Sequence, residues 1–400
     1  MDMRKERNVF LQVVFTLGIG STLVVSLLYV TIPLLPIFEM ELQATSGQTV
    51  WASSIYGIAY AIGCLIFGIF SDRFHRKSIL IGGIFALIVT TYLVNLSQSI
   101  EWLIAFRLIQ GIIAASIPIV SLAYISDVLA PRYRSIAITI LSSSFLLAGI
   151  LGQLYGQVIS NEWGWQAVFL LLSIGYLFIA FLIFFLPNGL IPKRDRSFFD
   201  VIHQALQVFN IPQLVFSFLV MGTILFSFVA MYSGLGPYVN HKFHLAEEDL
   251  MWIRIAGIPG IAISLFASLF MRRYGAKTIL IVGLLIAAAG LSMEVFAPSV
   301  SFLVFSSMIF VMGISIANPS IIVIVGQLGG KSRGSVFAIN AFSAFVGASF
   351  GSLIAEYIPS FPKLCLSLIL ILLFAIVVTS LFIHDHKVSL NQKNAMLNTK

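Results

Sequence analysis

GIFSDRFHRKSIL, residues Gly68–Leu80, gathers Asp72, Arg73, His75, Arg76 and Lys77 into a short break between two long uncharged runs. Charge confined to a brief interruption of an apolar chain is the pattern of a turn between two membrane-crossing helices. The whole composition agrees. Of 400 residues, 59% are hydrophobic and 10% charged, against roughly 25% charged in an ordinary water-soluble domain. Most of the surface must therefore face something other than water. A helix needs about 20 apolar residues to cross the hydrocarbon layer, and only helices and closed barrels keep every backbone polar group paired there. The runs are too long and too evenly apolar for alternating barrel strands. Twelve helices are predicted, at 9–36, 47–70, 78–97, 102–125, 135–159, 166–187, 211–236, 250–271, 277–297, 301–327, 335–358 and 363–384. The expected class is an all-α membrane protein.

Lys and Arg collect on the cytoplasmic side of a membrane. With the N-terminus placed there, 19 of the 23 fall on that face, in the segments 4–7, 73–77, 132–134, 193–196, 272–277, 331–333 and 387–400. The outer loops keep Lys242 and Lys363, while Arg107 and Arg254 lie within spans. Trp51, Trp102, Trp163, Trp165 and Trp252 all fall at outer span ends or in an outer loop, as an interfacial belt would place them. Both termini are expected in the cytoplasm. Short loops and tails point to a bacterial plasma membrane. The same distribution accounts for the +7 net charge without nucleic acid, because the basic residues form no single patch.

Other classes are excluded by what is missing. The two cysteines, Cys64 and Cys365, lie inside apolar runs, so no disulfide framework or metal set is available. The basic start MDMRKERN leads into an apolar run longer than the roughly 7–15 residues of a signal-peptide core, and reads as a first retained span. No Gly-rich phosphate loop, HExxH or Ser/His/Asp set on one face is present, so neither an enzyme nor a cofactor is expected. Any pumping must draw on an ion gradient.

The opening stretch recurs. SLFMRRYGAKTIL, Ser268–Leu280, aligns with it at an offset of 200, and RYRSIAITI (Arg132–Ile140) parallels KSRGSVFAI (Lys331–Ile339). In the spans that follow, Ala148, Gly152 and Gly156 correspond to Gly347, Gly351 and Ala355. Small residues four apart let helix backbones approach closely. Two six-helix halves are expected, 1–187 and 211–400, joined by a polar cytoplasmic segment at 188–210. Transporters built from such repeats bind substrate near the midplane and rock about it.

GIFSDRFHRK resembles the G-x-x-x-D-R-x-G-R-K/R signature between the second and third helices of the major facilitator superfamily. RLIQGIIAA (Arg107–Ala115) is similar to the R-x-x-Q-G-x-G-A-A signature of its fourth helix. WASSIYGIAYAIG, GWQAVFL and SRGSVFAIN look like its twelve-helix drug:proton antiporter branch. Three positions depart from the pattern. His75 and Ile113 replace glycines, and GQLYGQ (Gly152–Gln157) lacks the Pro of the antiporter G-P-x-x-G-G. The resemblance implies a secondary transporter that exports small organic molecules, drug-like compounds or metabolites, by alternating access in exchange for protons. Its partners would be substrate, protons and membrane lipid, and its working unit a monomer. The alternatives are a proton-coupled uptake symporter for a nutrient such as an organic anion, and a non-transporting receptor of the same fold.

The resemblance also implies that Asp72 faces the start of the eleventh span, GGKSRG, in the other half. A helix start carries unpaired N–H groups and a partial positive charge, which a carboxylate stabilises by about 0.3–1 kcal/mol. Gly68, Asp72, Arg73, Arg76, Lys77 and Asp127 form the expected latch, with Asp127 paired to Arg73 or Arg76. At the matching place in the second half stands Arg272, so the acid occurs in one half only. A charge inside a membrane helix defaults to function. For Arg107, beside Gln110 and Gly111, two readings stand: it binds an anion or responds to a nearby acid, or it snorkels to the interface. No Asp, Glu or His occupies the middle of any predicted span. Glu294 and Glu356, with Arg254 at similar depth, are the nearest candidates for proton coupling, and a structural ion pair or a wetted helix end is the rival reading. Tyr29, Tyr56, Tyr60, Gln153, Phe228, Tyr232, Asn318 and Asn340 are the expected cavity residues. They suit moderately apolar ligands and leave a dication without a partner.

Overall fold

A computed structural model describes residues 3–189, 207–243, 255–263, 266–330, 332–358 and 360–384. Among them eleven helices are long and apolar enough to cross a membrane. The first span is the helix Met3–Ser26 and the second Ser46–Arg73, with the short helix Leu35–Glu41 between them. The third is Arg76–Asn95, and the fourth comprises Ile100–Ala114 and Ser116–Val128. Pro131–Trp163 is the fifth, Trp165–Phe184 the sixth and Pro212–Phe243 the seventh. Of the eighth, expected at 250–271, the described pieces are Ile258–Ile263 and Ala267–Tyr274. The ninth to twelfth are Ala276–Val295, Val300–Leu328, Arg333–Tyr357 and Phe361–Phe382. Most of the expected linker and all of the tail after residue 384 lie outside the described residues.

Two elements differ from expectation for local reasons. The first span was expected to run to Pro36, but its helix stops at Ser26. The Ser26 hydroxyl donates back to the Thr22 carbonyl (2.7 Å), and the next residues tighten into three-residue turns. Pro33 lies in the 3-10 turn Ile32–Leu34, and Pro36 stands in the first turn of the short helix Leu35–Glu41, where its missing N–H costs nothing. The fourth span breaks at Ala115, three residues before Pro118, whose ring cannot accept the preceding turn's geometry.

The helices pack in the same scheme on each side of the repeat. First against fifth, second against fourth and third against sixth are matched by seventh against eleventh, eighth against tenth and ninth against twelfth. Gly152 lets the fifth span touch the first, since a Cβ there would lie 2.7 Å from the Ser26 carbonyl oxygen. Gly351 does the same for the eleventh and seventh, where a Cβ would lie 2.4 Å from the Phe226 carbonyl oxygen. Lys77 Nζ donates to the carbonyls of Phe184 (2.9 Å) and Leu186 (2.6 Å) at the end of the sixth span. Its repeat counterpart Lys277 donates to Ser380 at the end of the twelfth (2.8 Å). Between the halves, the second span packs on the eleventh, and the fifth on the eighth and tenth.

Trp51, Trp102 and Trp163 are exposed at span ends away from the basic face, but Trp165 is fully buried and donates to Glu41 (2.9 Å). It is a packing residue and leaves the expected belt. Trp252 lies outside the described residues.

Candidate functional site

At the basic end of the bundle, the second span ends on Arg73 and the third begins on Arg76. This two-residue connection sets Asp72 and Arg76 side by side. His75, which replaces a glycine of the resembled signature, sits at φ −64°, so the turn needs no glycine there. Its counterpart Gly275 sits at φ +88°.

Asp72 reaches across to the start of the eleventh span. Its Oδ1 accepts from the backbone N–H of Gly334 (2.8 Å), and its Oδ2 from the N–H (2.9 Å) and hydroxyl (2.8 Å) of Ser335. The eleventh span has no side-chain cap of its own, so Asp72 satisfies donors that would otherwise be orphaned. Glycines make the approach possible. A Cβ on Gly68 would lie 2.1 Å from that of Ala338, and one on Gly334 would lie 2.0 Å from the Ser71 hydroxyl.

Arg76 holds Asp72 from behind. Its Nη2 pairs with Asp72 Oδ1 (3.3 Å) and its Nη1 with Asp127 Oδ2, while Nε and Nη1 donate to the carbonyls of Ser71 (3.1 Å) and Ala123 (2.8 Å). Arg333 closes the chain of charges at 4.0 Å from Asp127 Oδ1. Four spans thus meet at one buried polar cluster. Two further expected members make other described contacts. Arg73 lies over the Phe74 ring (5.5 Å), and Lys77 caps the sixth span. Ser335 and Arg333 were missed, although both stand in the quoted SRGSVFAIN that opens the eleventh span.

Arg107 is fully buried, which removes the snorkelling reading. It donates to Gln110 Oε1 (2.9 Å), the Leu27 carbonyl (3.0 Å), Thr31 Oγ1 (3.4 Å) and the Ala52 carbonyl (3.4 Å), and lies 4.0 Å from the Tyr56 ring centroid. Leu27 can accept because the first helix has already ended. Gln110 in turn donates to Thr91 (2.9 Å). Gly111, next to it, has Tyr56 backbone where a Cβ would stand. This network ties the first four spans together, and neither Arg107 nor Gln110 lines the central cavity.

That cavity, about 650 Å³, lies between the halves and is lined by Tyr29, Tyr60, Asn318 and Asn340 among apolar residues. An adjoining space of about 620 Å³ is lined by Tyr29, Gln153, Phe228 and Tyr232. A third, of about 1130 Å³, reaches Ile32 and Gly57 toward the end opposite the basic face. None of the three is lined by a charged side chain. The Oδ1 atoms of Asn318 and Asn340 are buried without a hydrogen-bond partner. Tyr56 is not among the lining residues; it is occupied by Arg107.

Glu294 lies apart from these cavities, between the ninth, tenth and twelfth spans. It is fully buried, accepts from Ser307 (2.8 Å) and has the Cys365 thiol at 3.7 Å. This replaces the expected ion pair or wetted helix end. Arg254 and the side chain of Glu356 lie outside the described residues.

The comparisons with known proteins agree with this architecture. The sequence profile described as Major Facilitator Superfamily matches residues 14–253 and 218–397. The MFS-type transporter YceJ of Bacillus subtilis is 23% identical over 352 residues, 87% of this chain and 88% of that one. The multidrug export protein EmrB of Haemophilus influenzae is 30% identical over 133 residues, 33% of this chain and 26% of that one. Among solved structures, the human organic anion transporter MFSD10 superposes with a TM-score of 0.74 at 16% identity, covering 92% of this chain and 99% of that chain. The proton:xylose symporter XylE does so with a TM-score of 0.76 at 14% identity, covering 96% and 97%. These two likenesses bear on the fold alone. This chain, a multi-pass membrane transporter and not an enzyme, belongs to the Major Facilitator Superfamily.

Proposed function

We propose that the protein exports small, uncharged, moderately apolar organic molecules across a bacterial inner membrane in exchange for protons. The carrying observation is the central cavity: it has aromatic and apolar walls, two amides and no charge. A charged ligand would have no partner in such a dry site, whereas a neutral one needs only its few polar groups matched. The partial likeness to EmrB supports export and exchange, and the bacterial relatives support the membrane assigned.

In this reading the basic face is cytoplasmic and the two bundles, 1–187 and 211–400, rock about the cavity. Gly68, Asp72, Arg76 and Asp127 act as a latch, joined by Arg333 and Ser335. The bonds from the eleventh span to Asp72 exist only while the cytoplasmic end is closed, so they bias one of two states. Arg107 and Gln110 stiffen the first bundle. The uptake reading, in which Arg107 holds an organic anion, is weaker, because protein acceptors already occupy that guanidinium outside the cavity. Glu294 remains a candidate proton carrier because, among the described residues of the second bundle, it is a fully buried carboxyl, and Glu356 because of its position in the chain.

A substrate panel on cells with and without the gene, followed by everted vesicles with a pH-sensitive dye, tests this. Cells carrying the gene should retain less of a neutral apolar compound, and adding it to energised vesicles should release protons. Accumulation in cells would reverse the direction. Extrusion without proton movement would remove the exchange.

A further inference from the structure

The second half repeats the opening turn but not its chemistry. Arg272 stands where the first half has Asp72, and Ser135 where the second has Gly334. The second and eleventh spans close on each other around Asp72. The corresponding place, where Ala267–Tyr274 of the eighth span meets the start of the fifth, holds a cavity of about 990 Å³. Ser135, Arg272, Arg273, Gly275 and Gln327 are among its lining residues, and no acidic side chain is.

Each group there is suited to an anion. Among the described residues, Arg272 has no hydrogen-bond or ion-pair partner, and Arg273 lies over the Tyr274 ring (5.2 Å). The Ser135 hydroxyl oxygen is buried and unpartnered. The fifth span begins at Pro131 with no side-chain cap, and the ninth begins at Ala276 without one. Guanidinium groups match phosphate oxygens in a bidentate fork, and helix starts favour negative charge. Tyr274 lines the cavity, and Leu269 and Phe270 stand on the same helix; all three are more than half exposed.

We propose that this cavity binds a phosphate-bearing anion, which supplies to the start of the fifth span the negative charge that Asp72 supplies to the eleventh. Binding ties the fifth span to the eighth and so favours the state closed at the basic face. Two sources share this chemistry: the headgroup of an anionic phospholipid, reaching in past Phe270 and Tyr274, and free phosphate. Which leaflet or compartment supplies it rests on the orientation proposed above. Binding itself does not, so the two readings fail independently.

The test uses the purified full-length protein and two probes. Inorganic phosphate is titrated in detergent at constant ionic strength, with chloride as control, and the melting temperature followed. Retention of phosphatidylglycerol against zwitterionic phosphatidylcholine is measured by native mass spectrometry. At least one probe should bind with one-to-one stoichiometry, and at least tenfold more weakly to Arg272→Gln/Arg273→Gln. A phosphatidylglycerol signal alone assigns the lipid headgroup, and a phosphate-dependent melting shift assigns the free anion. The single variant Arg272→Gln, which removes no described hydrogen bond or ion pair, should bind at least threefold more weakly, and it carries the test if the double variant is poorly made. Binding no stronger than to the controls, or equal binding to wild type and variants, overturns the proposal.

Discussion

Replacing Asp72 with asparagine leaves the side chain's shape and removes its charge. Three donors from the eleventh span converge on the carboxylate at 2.8–2.9 Å. Hydrogen bonds to a charged acceptor contribute about 1.5–3 kcal/mol net and neutral ones about 0.5–1.5, so each bond loses about 1 kcal/mol. One amide position now presents N–H groups toward an N–H donor, which weakens that side further. The total, about 3 kcal/mol, moves the equilibrium away from the closed state by roughly 100-fold. The donors report this directly. The amide protons of Gly334 and Ser335 exchange when the contact opens, so hydrogen exchange of a peptide spanning them should quicken by up to about 100-fold. Transport should fall sharply while membrane abundance stays near normal. Unchanged exchange together with full transport would refute the latch.

Three further outcomes follow from the same geometry. Gly334→Ala places a methyl group 2.0 Å from the Ser71 hydroxyl and 2.5 Å from the Gly68 carbonyl, so transport should be lost and exchange at Ser335 accelerated although Asp72 is intact. Arg107→Ala strips donors from Leu27, Gln110 and Thr31. Each buried group left unmet costs about 1–3 kcal/mol, and the melting temperature in detergent should drop by several degrees. Asn340→Leu removes a buried oxygen that has no partner, so the protein should melt no lower than wild type, and up to about 1–2 kcal/mol more stably, yet bind and export its substrate more weakly.

Hydropathy alone made the spans legible, because crossing a bilayer demands long apolar runs whatever the tertiary contacts. It could not show where the first helix stops. Past Ser26, whose hydroxyl donates to the Thr22 carbonyl, the chain tightens into three-residue turns, and an average over twenty residues does not register that. The same holds for Arg107. Two of its acceptors are the carbonyls of Leu27 and Ala52, and a backbone oxygen leaves no trace in residue identity. Tyr56 and Tyr60 lie four apart and read as equivalent aromatics on one helix face. Only the packing reveals that Tyr56 lies against Arg107 while Tyr60 reaches the cavity. Trp165 was misplaced because hydropathy does not distinguish an interfacial indole from one packed inward against Glu41. The contact between Asp72 and the eleventh span came from the resemblance and from the general charge of helix starts, since its two peptide N–H donors have no sequence signature of their own.

Those peptide donors have a consequence for how the contact can change in descendants of this chain. No substitution at position 334 or 335 short of proline deletes an N–H, so a lineage that loses Asp72 has, across the interface, only the Ser335 hydroxyl as a side-chain donor to exchange in compensation. Paired substitutions across this interface should therefore be scarce, and searches for covarying positions will pass over it. The Arg76–Asp127 pair, made of two side chains, is free to swap or fade together. Within one cluster, the half of the contact that is written in the backbone is the half that comparative sequence statistics cannot see.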